Sequence, residues 1–69
     1  MSLRETFANR VREWRHRRSL SFRAFGKRFD PPVSGVHAFN LESGDYNPTL
    51  EQVEKVARAL NVDPKRLLK

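Results

Sequence analysis

The sequence contains no cysteine. Disulfides and thiolate metal sites are therefore excluded. Its two histidines, His16 and His37, have no ligand cluster around them, and no metal site is expected. No apolar run approaches the ~20 residues of a membrane span. No signal peptide is visible, and the expectation is a soluble, cytoplasmic protein. No glycine-rich phosphate loop, His-Glu metal motif, nucleophile elbow or Cys-His pair occurs. The carboxylates are accounted for by helix caps and helix surfaces. An enzyme is not expected, nor a cofactor or a small-molecule ligand. Low-complexity segments, repeats and linkers are also missing, so the 69 residues read as one small domain over positions 1–69.

Acidic residues are scarce in one half only. Residues 1–30 hold nine Lys/Arg against three Asp/Glu, and residues 31–69 hold five against five. The whole net charge of +6 thus sits in the first half, mostly as arginine. Arginine offers a planar fork of donors suited to phosphate. A basic face attracts nucleic acid through counterion release, without sequence information. A solvated helix face and an anionic membrane surface are the competing readings of such charge.

Apolar periodicity then predicts helices throughout. Leu3, Phe7, Val11 and Trp14 form a stripe on a first helix, about Leu3 to Arg18. Ser2 to Glu5 fits a capping box at its start. Trp14 belongs to the stripe and is expected in the core. Ser19 stands where a helix end would prefer glycine, and Leu20 returns to the core. Ser21 caps a second helix, about Phe22 to Phe29, with Phe22, Phe25 and Phe29 on one face. Gly26 inside it signals either close approach of another helix or simple tolerance. Pro31 pushes Asp30 out of the helical region and ends this helix. Ser34 caps a third, about Gly35 to Glu42, closed by Gly44, with Ala38 and Leu41 inward.

After the polar loop Asp45-Tyr46-Asn47-Pro48, Thr49 opens a second capping box and a fourth helix to about Leu60. Asn61 is a candidate left-handed cap. Asp63-Pro64 starts a fifth helix, docked by Leu67 and Leu68. The fold class is all-α, a compact five-helix bundle. Its second and third helices, short and tightly joined, suggest a helix-turn-helix.

Such a unit lays its second helix in the DNA major groove. The open face of the third helix carries Gly35, Val36, His37 and Asn40. Asn40 has the two atoms needed to bond adenine, and Val36 can pack on a thymine methyl. His37 either donates to a base or phosphate or is an ordinary exposed side chain. Phe39 lies off the buried face and could cover a dimer contact, pack on the fourth helix or touch sugars. Arg17, Arg18, Arg23, Lys27 and Arg28 are the phosphate candidates, with Ser34 adding a hydroxyl or backbone contact.

Taken together, four segments resemble the Cro/CI (Xre-like) family of phage and bacterial DNA-binding regulators, with its lambda-repressor-like fold. They are Phe7-x3-Val11-x2-Trp14-Arg15, Leu20-Ser21-x3-Phe25-Gly26-x2-Phe29, Val33-Ser34-x3-Ala38-x2-Leu41-Glu42-x-Gly44, and Pro48-Thr49-Leu50 through Leu67-Leu68. The likeness runs over about residues 5–68. It implies a double-stranded DNA-binding transcriptional regulator, a repressor acting as a homodimer through a surface around the fifth helix. It also implies a structural ion pair between Arg15 and Glu42, and base contact at Gly35, Val36 and Asn40. The same fold serves antitoxins and restriction–modification controllers.

The chain departs from the family pattern in places. Alanine is usual where Gly26 stands, and glycine where Asp30 stands. From Gly26 to Ala38 the chain is two residues longer, with Pro31-Pro32 as the insertion, so the turn is wider. Phe22 replaces the polar residue that commonly opens the second helix and touches phosphate. The often basic loop before the fourth helix carries Asp45 and Tyr46. Phe22 and Gly35 motivate a second reading, a protein-interaction module with weak or no sequence-specific DNA binding. RNA binding is a third, and would want exposed aromatics.

Overall fold

The computed structural model describes residues 2–45 and 47–69. Tyr46, one of the two loop residues departing from the family pattern, lies outside the described residues. Four α-helices occur among them: α1 Leu3–Arg17, α2 Phe22–Lys27, α3 Gly35–Asn40 and α4 Leu50–Leu60. The fifth predicted helix is instead a single 3₁₀ turn, Pro64–Leu67. Its bonds run Arg66 N–H to the Asp63 carbonyl and Leu68 N–H to that of Lys65, both i to i−3. Four residues beginning at a proline are too few to propagate an α-turn, and the tighter winding suits so short a piece. The bundle is therefore four α-helices closed by a 3₁₀ turn, not five helices.

Each helix is opened by its own side-chain cap. Ser2, Ser21, Ser34 and Thr49 accept from the backbone N–H three residues on, and Asp63 does so two residues on. The α1 cap is a full capping box, closed by Glu5. Asn61 ends α4 in the left-handed region at φ 58°. Ser19 takes the same conformation at φ 54°, which lets the chain reverse after α1 without glycine. That conformation costs a non-glycine residue about 1 kcal/mol.

Two helices end earlier than the periodicity predicts. α2 stops at Lys27, because the Gly26 carbonyl is taken by the N–H of Phe29 and, at 2.9 Å, by that of Val33. The second bond folds the turn back over α2. Phe29 lies beyond the helix yet is buried. α3 stops at Asn40, and its last turn tightens: Glu42 N–H bonds to the Phe39 carbonyl and Ser43 N–H to that of Asn40. Pro31 and Pro32 lie exposed in the turn, and the Asp30–Pro31 bond is cis.

The core gathers one residue or more from every element. Phe7 and Val11 of α1, Phe25 of α2, Leu41, Val56 and Leu60 of α4, and Leu67 are fully buried. Trp14 and Leu20 pack half-buried against this cluster. α3 packs on α2, and the 3₁₀ turn packs on both α1 and α4. The helix pair α2–α3 is thus held against the bundle by α2 and by the residues that follow α3.

Gly26 reveals how close the pair is. A Cβ at this position would overlap the Val33 carbonyl oxygen and lie 3.1 Å from that of Ser34. The glycine is needed for close approach. The neighbour is the turn backbone just before α3, brought there by the longer connection.

Candidate nucleic-acid interface

α3 turns Ala38 into the core and leaves the opposite side open. Val36 is 72% exposed, an unusual state for a large apolar side chain. Asn40 is also exposed. The two are four residues apart, one helical turn, and share a face. A carboxamide that can donate and accept stands beside an aliphatic group, which is the chemistry needed to meet base edges and a thymine methyl. His37 is half-buried. Its backbone N–H donates to the Ser34 hydroxyl at 3.1 Å, so that hydroxyl caps α3.

Gly35 sits differently from the other three. Its Cβ position faces α2, 3.3 Å from the Arg23 nitrogen and 3.4 Å from the Arg23 Cα. The first turns of α3 and α2 thus meet backbone to backbone. Of the four residues expected on the open face, Val36 and Asn40 are presented outward, His37 in part, and Gly35 serves the packing of the pair.

Behind this face lies a chain of contacts that joins α1, α2 and α3. Arg15 Nε donates to Glu42 Oε2 at 2.5 Å, and Nη2 donates to Oε1 at 3.3 Å. Its remaining nitrogen, Nη1, donates to the Leu20 carbonyl at 2.8 Å. The Glu42 side chain is buried at 6% exposure, and that of Arg15 is nearly so at 11%. The guanidinium also lies 4.1 Å from the centre of the Phe22 ring. Phe22 meets Phe39 of α3 edge to face at 5.3 Å. Phe39, whose role the periodicity leaves open, therefore packs on α2, while staying 54% exposed. Phe22 in place of a polar residue has a packing reason: it is the plate between Arg15 and Phe39.

The basic residues divide into two groups. Arg23 and Lys27 are exposed on α2, next to α3. The others have contacts of their own within the chain. Arg18 Nε donates to the Leu60 carbonyl at 3.0 Å, and Arg28 Nε donates to the Ala59 carbonyl. These are end carbonyls of α4, where no helical partner remains and a cation is favoured. Arg17 lies over the Trp14 ring at 4.9 Å, toward the 3₁₀ turn. The acceptors of Arg18 and Arg28, expected on phosphate from the sequence, lie 42 and 31 residues away and leave no local signal. The one available hint was general: α4 ends in carbonyls that need donors.

Among the described residues no group of three or more His, Cys, Asp or Glu could hold a metal ion. No helix among them is long and apolar enough to cross a membrane. A family model described as a helix-turn-helix domain matches residues 6–68. Comparison with curated proteins and with solved structures gave no match.

Proposed function

The chain belongs to the helix-turn-helix domain family, and from that premise we propose a sequence-specific double-stranded DNA-binding transcriptional regulator of the Cro/CI (Xre-like) type. It acts in the cytoplasm as a repressor. As a homodimer it binds a near-palindromic operator whose half-sites lie about 34 Å apart. It performs no catalysis and needs no cofactor. The observation that carries this reading is the exposed Val36–Asn40 face of α3 on a unit braced from behind by Arg15 and Glu42. Asn40 reads adenine, Val36 and His37 shape the adjoining contacts, and Arg23 and Lys27 hold phosphates. With Gly35 turned toward α2, direct readout is sparse, and duplex shape carries part of the specificity.

The same packing of Gly35 favours one alternative, a partner-binding module of this fold such as an antitoxin. One experiment separates the two. The protein is titrated against random duplex DNA by fluorescence anisotropy at low and moderate salt, and bound duplexes are then selected and sequenced. A two-fold-symmetric motif with salt-sensitive affinity is expected. Absence of binding at low salt would refute the DNA reading and leave the interaction module. Salt-sensitive binding without an enriched motif would refute sequence specificity.

A further inference from the structure

A groove of about 570 Å³ opens between α1 and the 3₁₀ turn. Its cations are Arg10 and Arg17 from α1, and Lys65, Arg66 and Lys69 from the far end of the chain, with Trp14 between them. This is a different side of the molecule from the α3 face. Trp14 and Arg15 are neighbours about 100° apart around α1. Arg15 turns to Glu42 after α3, and Trp14 turns to the groove. None of the groove's cations lies on α2 or α3.

We propose that this groove is a docking site for a short acidic peptide segment of a partner protein. Three observations fix the chemistry of the occupant. Arg10 is already bonded to Glu13 and to the Lys69 main-chain oxygen, which leaves Arg17, Lys65, Arg66 and Lys69 against Asp63, so the groove attracts an anionic ligand. Its volume falls within the range of roughly 300–1,000 Å³ that takes a small ligand, and a convex duplex does not enter such a concavity.

The third observation is the position of those carboxylates and of the indole. Glu13 is paired with Arg10 Nη1, and Asp63 accepts the Lys65 N–H at 3.0 Å. A phosphodiester strand, charged at every step, would bring phosphates against both. A peptide can place carboxylates on Lys65 and Arg66 and leave uncharged backbone opposite Glu13 and Asp63. Arg17 and Arg18 already lie over the indole at 4.9 and 5.2 Å and compete with the base stacking that single strands need. Arginine clusters of this kind recognise acidic motifs by charge-assisted hydrogen bonds.

The chain's one tryptophan lines the groove and reports on it directly. The test titrates the full chain with an acetylated, amidated peptide EDLDE and follows Trp14 emission. The neutral analogue QNLNQ and a five-nucleotide oligothymidylate are titrated alongside. A saturable change with EDLDE is expected, weakened about tenfold or more between low and high salt. The double variant Lys65→Glu/Arg66→Glu should weaken it at least tenfold, with an unchanged thermal melt. Lys55→Gln, outside the groove, should leave it as it is. The proposal is overturned by no saturable change, by equal binding of QNLNQ, by equal or tighter binding of the oligothymidylate, or by a double variant that binds EDLDE like the parent. Duplex binding is read separately, so failure here leaves the DNA reading standing.

Discussion

Arg15 and Glu42 grip each other through two nitrogen–oxygen contacts across 27 residues of sequence, and the carboxylate is buried. The pair joins α1 to the chain just past α3. Removing one partner leaves the other charged, buried and alone. Arg15→Met should therefore cost about 3–5 kcal/mol. The double variant Arg15→Met/Glu42→Leu should recover much of that loss, since a packed apolar pair is often neutral. Urea denaturation of the two singles and the double closes the cycle. Additive losses would mean that the pair is not coupled.

Gly26→Ala should destabilise by about 1–3 kcal/mol, because the new methyl meets the carbonyl oxygen of Val33, a residue held in place by its own N–H bond to the Gly26 carbonyl. In a domain of this size each kcal/mol lowers Tm by roughly 4–8 °C. Gly44→Ala is the comparison. Nothing lies within 4 Å of its Cβ position, but its φ is +72°. Strain alone should then cost about 1 kcal/mol. A Gly26→Ala melt equal to the parent's would show that the turn has room to move.

The proposed readers should behave unlike the proposed anchors. Asn40→Ala should lose about 1–3 kcal/mol at one base position and relax specificity there. Arg23→Ala should weaken all sequences alike and lower the salt slope by about one. Equal losses across sequences for Asn40→Ala would remove it from the set of readers.

Arg18→Gln and Arg28→Gln should act on folding. Each loses a donor to an α4 end carbonyl and a cation at the helix C-terminus, together worth about 1 kcal/mol. The salt slope of duplex binding should stay near that of the parent, whereas Arg23→Ala lowers it. Measuring melts and salt slopes on the same three variants sorts them. A fall in slope for Arg18→Gln would place that side chain on phosphate.

The Ser2 backbone N–H and then its hydroxyl donate to the Glu5 carboxylate and hold its pKa below the usual range. A lowered folded-state pKa favours the ionised form in the folded chain. The capping contribution is complete above the unfolded-state pKa and is lost as pH falls through the lower, folded one. Ser2→Ala should move the Glu5 titration midpoint, followed by carboxyl carbon NMR, upward toward the ordinary carboxylate value. An unmoved midpoint would leave the shift to the Ser2 backbone N–H alone.

Much of the frame was legible because it is local. The caps at Ser2, Ser21, Ser34 and Thr49, the left-handed Asn61 and the inward Ala38 and Leu41 all follow from spacing within a few residues. What escaped is set by contacts distant in sequence or by small differences in winding. Phe39 carries no local signal because its partner Phe22 lies on another helix. Gly35 looked like a gap in the reading face, yet it is the place where two helix starts touch. The closing Pro64–Leu67 segment carries good helix-start signals, and only the hydrogen-bond register separates an α-turn from a 3₁₀ turn.

The brace behind α3 also bears on how recognition would proceed. A buried, doubly bonded pair and an aromatic plate fix the attitude of α3 to the rest of the bundle. Tilting α3 to suit a poorly matched site would mean parting those charges inside the protein. The compliant member of the encounter is then the duplex. Discrimination should track how easily each sequence bends or twists to meet a stiff probe, and steps that flex readily should be favoured even where no side chain reaches a base.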